Sequence, residues 1–383
     1  MASIPLSILL TLSALLSPAA PNRAEGAQST SSTSPRKPEG SFEDLSRRAK
    51  EALTSGRSAE ALGLYRAGVE LDAQWADGWW RLGVLYFDEE RFADSSDALA
   101  RLVSLERDSA LAWALLGLSQ YRLQQYDRAL ASLRTAIDLR VPDQEPIGRE
   151  AVHYFTLLLI RSGDFRGAPA HLTRLVHLEP DDPELIAACG LMALRIQRLP
   201  SETPPADMEL VMMAGRAAYS AFGLRGEEAR KRFDELIARY PRTRGVHYAY
   251  GLFLSREASD QALPILRKEV ELFPDHVGAQ LQLAFEILDR GTATEALVPS
   301  QAAVRLAPDS YVSRLALGRA LVATGASEEG IAELERAARL SPDISEIYVA
   351  MAQAYASVGR VKDVERARAR LIELTAKLEA GPR

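Results

Sequence analysis

The sequence of 383 residues contains a single cysteine, Cys189, and five histidines that are scattered along the chain. One cysteine cannot form an internal disulfide, and no Cys/His cluster has the spacing of a zinc site. His171 and His177 lie six residues apart, whereas a metal-binding pair on a helix needs the closer i, i+4 spacing. We therefore predict no metal site and no bound cofactor, and we expect Cys189 to be a small core residue.

The chain also lacks a surplus of basic residues and the motifs of common enzymes. With 46 Lys and Arg against 52 Asp and Glu, the net charge is −6, whereas nucleic-acid binders usually show a basic stripe. The arginine-rich stretch at 360–370 interleaves its charges with acids and small apolar residues, as a solvated helix face does. No glycine-rich phosphate loop, Gly-x-Ser-x-Gly or His-Glu-x-x-His is present. These absences argue against nucleic acid as a partner and against an enzyme.

Alternating runs of Val, Ile and Thr are missing too, which argues against a β-sheet. Ala and Leu dominate the 47% of residues that are hydrophobic, and both favour helices. Prolines recur late in the chain, the last four at spacings of 33, 34 and 34 residues: Pro180, Pro241, Pro274, Pro308 and Pro342. A period of this length indicates stacked helical hairpins, none of which could bury its apolar face alone. The predicted fold class is all-α.

Two rows of this period carry the clearest pattern of side chains. Trp79 is followed by Leu82, Gly83 and Tyr86, and Trp113 is followed by Leu116 and Gly117. The pattern W-x2-L-G-x2-Y, then A-x3-F and a closing proline, resembles the tetratricopeptide repeat. The resemblance covers residues 42 to about 378 in nine rows, and it implies a right-handed superhelical solenoid of helical hairpins.

The N-terminus favours export. Residues 4–16 are almost wholly apolar, which is too short to span a bilayer but suits the core of a secretory signal. We predict a signal peptide or short apolar leader at 1–27, a flexible Ser/Pro-rich linker at 28–41, and a bacterial protein that is soluble in the periplasm or outside the cell. An uncleaved short anchor and a cytosolic protein are the alternatives.

The repeat phase breaks near residue 200. We predict an N-terminal array at 42–198, a proline-rich break at 199–209 and a C-terminal array at 210–378 that ends in a capping helix. A helix at about 184–198 precedes the break and has no partner in phase. We therefore expect an unpaired hairpin at 183–209 and a kink between the two arrays.

The resemblance also implies where a partner would bind, because the first helix of each tetratricopeptide hairpin lines the concave surface. Carried onto this chain, that surface comprises Trp80, Val84, Phe87, Leu118, Tyr121, Arg122, His153, Tyr154, Leu157 and Ile160. The equivalent positions in the C-terminal array are Leu281, Phe285, Leu288, Leu315, Arg319 and Val322. Exposed apolar and aromatic side chains of this kind are often partner sites, although tight curvature could bury the same side chains.

We therefore expect a non-enzymatic scaffold or adaptor that binds a protein or peptide segment in this groove. A periplasmic chaperone or assembly factor, acting transiently on envelope or secreted clients, is the alternative. The family also includes proteins that grip acidic tails with Lys and Asn side chains, but only Lys50 and Arg81 are basic at the corresponding positions. Contact with a membrane is expected only through an uncleaved leader.

Overall fold

The computed structural model describes residues 41–178, 181–258 and 260–380. The predicted leader at 1–27 and all of the predicted linker except Ser41 lie outside the described residues. Within those ranges the regular elements are nineteen α-helices and one short 3-10 helix, without a strand. The predicted all-α fold of stacked helical hairpins is confirmed.

Two compact units make up the described chain, and their boundary lies between Leu159 and Ile160. The N-terminal unit contains α1 (Phe42–Thr54), α2 (Ser58–Leu71), α3 (Ala76–Asp88), α4 (Phe92–Leu105), α5 (Ala110–Arg122), α6 (Tyr126–Asp138) and most of α7 (Pro146–Ser162). The C-terminal unit contains α8 (Ala168–Leu178), α9 (Pro183–Ala193), α10 (Pro205–Phe222), α11 (Gly226–Arg239), α12 (Val246–Arg256), α13 (Ala262–Leu272), α14 (Val277–Asp289), α15 (Ala293–Leu306), α16 (Tyr311–Ala323), α17 (Ser327–Leu340), α18 (Ser345–Ser357) and α19 (Val361–Ala380).

The Leu-Gly pair of the repeat brings the two helices of a hairpin close together. A Cβ atom at Gly83 would lie 2.6 Å from Cγ of Leu99, and one at Gly117 would lie 2.6 Å from Cγ of Leu133. Both leucines come from the second helix of their hairpin and are fully buried. Glycine is therefore required at these positions because a side chain would hold the helices apart.

The signature tryptophan contributes a hydrogen bond that closes the turn before each hairpin. The indole N–H of Trp79 donates to the carbonyl of Ala73 at 3.0 Å, and that of Trp113 donates to the carbonyl of Arg107 at 2.9 Å. In the C-terminal unit, donors of other residue types make the same bond to the carbonyl six residues earlier: Gln280 to Pro274, Arg314 to Pro308 and Tyr348 to Pro342. At these three positions a hydrogen-bond donor stands in place of the tryptophan.

One sequence-based prediction about the second half was wrong. The helix predicted at 184–198 ends at Ala193 and has a partner, because α9 packs directly against α10. A Cβ atom at Gly190 would lie 2.9 Å from the amide nitrogen of Gly215 and 3.0 Å from the carbonyl carbon of Val211. Pro204 and Pro205 do not interrupt this hairpin: they stand at the N-cap and first position of α10, where a missing N–H costs nothing.

The boundary between the two compact units does not coincide with the predicted break at 199–209. In the structure that segment holds a 3-10 helix at Pro200–Glu202 and the first turn of α10. The kink expected near residue 200 stays a prediction. At the C-terminus, the predicted capping helix corresponds to α19.

Candidate functional site

The ten residues predicted to form the partner-binding groove in the N-terminal half differ in their access to solvent. Six of them are between 0% and 8% exposed, which leaves little surface for a partner: Trp80, Val84, Leu118, Tyr154, Leu157 and Ile160. His153 is buried as well. Phe87, Tyr121 and Arg122 are half-buried. Seven of the ten side chains are therefore buried, so the alternative of burial applies to them and the expectation of exposure is corrected.

The half-buried residues of the N-terminal unit are held by one another. The ring of Tyr121 lies 4.2 Å from that of Tyr154 and 5.5 Å from that of Tyr126. The guanidinium of Arg122 lies 5.4 Å from the Tyr154 ring and donates to the Glu150 carboxylate at 2.8 Å. These contacts fix an aromatic surface and neutralise the charge beside it.

Asp88, the last residue of α3, is an unusual acid that sequence reasoning missed. Burial raises its pKa to about 6, and its Oδ2 atom has no hydrogen-bond partner. An acid at a helix C-terminus is also disfavoured by the helix dipole. Its place next to Phe87, a predicted groove residue, was the signal in the sequence that could have found it.

Two neighbouring cavities of the C-terminal unit share lining residues, and we call them together the C-terminal groove. The larger, of about 610 Å³, is lined mainly by apolar side chains of α9, α10 and α12, among them Met192, Ala193, Ala218, Ala221, Phe222, Leu252 and Phe253. The smaller, of about 370 Å³, is lined by residues of α12, α14 and α16. Arg195 and Gln282 line both cavities.

All six positions carried over to the second half line cavities in this unit. Leu281, Phe285 and Leu315 line the smaller cavity of the C-terminal groove. Leu288, Arg319 and Val322 line a further cavity of about 190 Å³. That these six residues contact a partner stays a prediction.

Leu224 lies at the rim of the larger cavity in an unfavourable backbone conformation. It occupies the turn between α10 and α11 with φ of 58°, a left-handed conformation that a β-carbon disfavours. Five glycines in turns between helices have positive φ as well, but they carry no such penalty: Gly56, Gly163, Gly291, Gly325 and Gly359. The Leu224 side chain is also 83% exposed. Leu224 therefore presents an apolar side chain to solvent at the rim of the cavity.

A buried carboxylate supports the wall of the smaller cavity. Glu269 of α13 is fully buried and accepts hydrogen bonds from the backbone N–H groups of Gly245 at 2.7 Å and Tyr248 at 3.3 Å. Nδ1 of His276 lies 2.7 Å from Oε1 of Glu269. His247 lies 4.0 Å away, and burial lowers its pKa despite the attraction of Glu269. The cluster caps the N-terminus of α12 and so positions Tyr248.

Two arginines reach the smaller cavity from outside the repeat pattern. Arg195 follows α9, and its guanidinium lies 4.9 Å from the ring of Phe165 and 5.4 Å from that of Tyr248. Arg166, in the turn between α7 and α8, donates to the hydroxyl of Tyr311. Sequence analysis named neither residue, and their roles depend on contacts that are distant along the chain.

Other chemistry has little support in the part of the chain that the structure describes. There, no group of three or more His, Cys, Asp or Glu side chains is placed to hold a metal ion. Cys189 is buried, and burial raises the pKa of its thiol, which suppresses the nucleophilic thiolate. None of the helices in the described ranges has the length and apolarity needed to cross a membrane.

Comparison with known proteins identifies the repeat. The sequence model of the family described as Tetratricopeptide repeat matches residues 46–103 and 82–143. A solved structure of MamA (41-end) from Desulfovibrio magneticus RS-1 is 18% identical over 46% of this chain and 98% of its own, with a TM-score of 0.40. The Cut9–Hcn1 hetero-tetramer of the APC/C is 13% identical over 87% of this chain and 66% of its own, with a TM-score of 0.36. Scores this low carry no argument about function. A search of curated proteins finds no match.

Proposed function

Because this chain is a tetratricopeptide repeat protein, we propose that it is a non-catalytic scaffold whose C-terminal groove binds a segment of another protein. The observation that carries the proposal is the larger cavity, which has a volume of about 610 Å³ and a mainly apolar lining. That volume lies within the ~300–1,000 Å³ typical of binding pockets. It accommodates several side chains of a bound segment.

The lining of this cavity suits close approach of another polypeptide. Ala193, Ala218, Ala221 and Ala249 contribute small side chains, so a bound segment can come near the helix backbones. Leu224 projects at the rim, where a partner would cover its exposed side chain. Covering it offsets the cost of displaying an apolar group to water.

The acidic residues around the apolar floor are paired within the unit. Glu286 lies 2.9 Å from Arg290, Asp289 lies 3.2 Å from Arg319, and Glu257 lies 4.0 Å from Arg230. A polar rim around an apolar centre is the common anatomy of protein–protein interfaces. Paired rim charges add solubility and orientation without requiring a charged partner at this end of the groove.

The N-terminal unit offers a second contact surface in this proposal. Phe87, Tyr121 and Arg122 are the predicted groove residues that retain exposure there. We further propose that the protein is exported to the periplasm or the cell exterior, on the strength of the apolar leader in its sequence.

Site-specific photocrosslinking tests the groove. A photoreactive residue at position 224 should crosslink to a defined protein segment in cells, whereas one at Val298 should not. Val298 is the matched control because it is 71% exposed and apolar but lines none of the described cavities. A synthetic peptide of the crosslinked segment should then bind the purified wild-type chain and the V298E variant.

The Leu224→Glu variant should lose binding of that peptide while its circular dichroism stays unchanged. Equal crosslinking from the two positions, or peptide binding that survives Leu224→Glu, would contradict the assignment. One dominant segment supports a scaffold, whereas a changing set of client segments supports the transient chaperone role instead.

A further inference from the structure

The smaller cavity of the C-terminal groove differs from the larger one in its charge. Its lining includes two arginines, Arg166 and Arg195, and one acid, Glu346, among apolar and tyrosine side chains. The formal charge of the lining is therefore +1, in a chain whose net charge is −6. The contacts of Arg166 and Arg195 determine whether this positive charge is available to a ligand.

Arg195 is oriented by aromatic rings and has no acidic partner. Its Nη2 donates to the Tyr248 hydroxyl at 3.0 Å, and its guanidinium lies close to two rings. Among the described residues, no carboxylate lies within ion-pair distance of it. Stacking fixes the plane of a guanidinium and leaves several N–H donors at its edge.

Arg166 approaches the cavity in the same manner. It lies 5.7 Å from the ring of Tyr311 and donates to that hydroxyl, and no acid of the described segments pairs with it. Neighbouring arginines of the same unit behave differently. Arg244 pairs with Asp275 at 2.7 Å, and Arg290 pairs with Asp260 at 2.6 Å. The two guanidiniums that face the cavity are thus available to an anion.

Nearby acids do not satisfy these arginines. Glu269 lies behind Tyr248 and is already bonded to backbone N–H groups and to His276. Glu346 of α18 lines the cavity but forms no ion pair among the described residues. Its carboxylate would repel a bound anion, so replacing Glu346 with a neutral residue tests the site.

We propose that Arg166 and Arg195 bind the side-chain carboxylate of an acidic residue in the partner segment. The inference rests on the proposed function, because the apolar residues that flank this acid would occupy the adjoining larger cavity. Arginine is suited to the task, since its planar fork of donors matches a carboxylate. Charge complementarity selects a segment in which one acidic residue stands within an apolar run.

Peptide binding to the purified full-length chain provides the test. The probes are acetylated, amidated apolar peptides that differ only at one central residue, which is Glu, Gln or phosphoserine. Fluorescence anisotropy should show the Glu peptide binding at least about tenfold more tightly than the Gln peptide, because a charge-assisted hydrogen bond is worth ~1.5–3 kcal/mol. High salt should weaken this preference.

Variants assign the preference to the two arginines. Arg166→Gln and Arg195→Gln should each reduce the Glu-over-Gln preference while the Gln peptide binds as before. Glu346→Gln should strengthen binding of the Glu peptide, an effect that a merely structural residue would not produce. Arg305→Gln is the matched control, since Arg305 is an exposed arginine of the same unit that lines none of the described cavities. Circular dichroism checks the fold of each variant.

The outcomes separate this inference from the proposed function. If the wild-type chain binds neither peptide, the groove proposal fails and the carboxylate site fails with it. If the Glu and Gln peptides bind equally, or the preference survives in both arginine variants, only the carboxylate site is refuted. Tighter binding of the phosphoserine peptide, or displacement of the Glu peptide by inorganic phosphate, would overturn the assignment to a carboxylate.

Discussion

Replacing Gly190 with alanine is expected to destabilise the C-terminal unit severely. At this glycine the backbones of α9 and α10 are in direct contact, since an added Cβ would lie 2.9 Å from the amide nitrogen of Gly215. It would lie 3.0 Å from the carbonyl carbon of Val211, and closer still to the oxygen of that carbonyl. Backbone atoms cannot rotate away as the tip of a side chain can, so the two helices must move apart.

The magnitude follows from the contacts that such a movement disrupts. Overpacking a well-packed core costs about 1–3 kcal/mol, and we expect Gly190→Ala to lie near the upper end because no flexible side chain absorbs the clash. For a unit of this size, each kcal/mol lowers the melting temperature by roughly 2–4 °C. The expected loss is therefore about 6–12 °C. Gly226→Ala is the control, since its nearest neighbour would be a carboxylate oxygen of Glu257 at an ordinary 3.5 Å.

Two spectroscopic signals separate the units. The chain has four tryptophans, and all of them lie in the N-terminal unit: Trp75, Trp79, Trp80 and Trp113. Thermal unfolding followed by circular dichroism reports both units, whereas tryptophan fluorescence reports the N-terminal one. Gly190→Ala should shift a circular-dichroism transition to lower temperature and leave the fluorescence transition in place. Gly117→Ala should shift the fluorescence transition, because its Cβ would meet Leu133 in the N-terminal unit.

Two results would refute this reasoning. An unchanged circular-dichroism transition in Gly190→Ala would show that the α9–α10 contact tolerates a methyl group. An equal loss in Gly226→Ala would show that the measured effect does not arise from the close approach.

Three further predictions concern single side chains. Leu224→Gly should stabilise the C-terminal unit by up to about 1 kcal/mol and so raise its melting temperature slightly, since glycine relieves the left-handed strain. A lower melting temperature would mean that Leu224 stabilises the unit by packing. Burial raises the pKa of Asp88 to about 6, so this acid favours the folded state when protonated and loses that contribution as pH rises through about 6. Asp88→Asn should therefore stabilise the N-terminal unit at pH 8, by on the order of 1 kcal/mol, and this gain in urea denaturation should shrink as the pH falls below about 6. Glu269→Gln should cost about 2–3 kcal/mol in the C-terminal unit, measured by circular dichroism, because a buried carboxyl group that accepts from two backbone N–H groups is lost; an unchanged midpoint would contradict its capping role.

Much of the hairpin design was predictable from the sequence because it is local. The pairing of Gly83 with Leu99 follows from residue sizes at fixed spacing within one hairpin. The turn glycines follow likewise from the need for positive φ at each reversal. The pattern understated the signature tryptophan, which donates a hydrogen bond as well as packing. Gln280, Arg314 and Tyr348 keep that donor, and their common position was the signal that sequence reasoning passed over.

The errors came from applying a local rule without regard to where in the helix the residue lies. Pro204 and Pro205 were interpreted as helix breakers, but a proline at the first turn of a helix is compatible with it. The partner of α9 was therefore missed although Gly190 and Gly215 were both visible as small residues. In the predicted groove, the place of a residue in the repeat register did not determine whether its side chain is exposed. Leu118 and Leu157 occupy the right register and are nevertheless buried.

The sequence by itself determined the repeated helical hairpin, since its period, its small residues and its turns act over a few tens of residues. Only the tertiary structure decided which side chains are left for a partner, because that depends on packing between hairpins. Arg166 meets Tyr311 across 145 residues, and Arg195 meets Tyr248 across 53. No local pattern encodes which arginine finds an aromatic ring and which finds an acid. The anion site proposed for this protein depends on that difference.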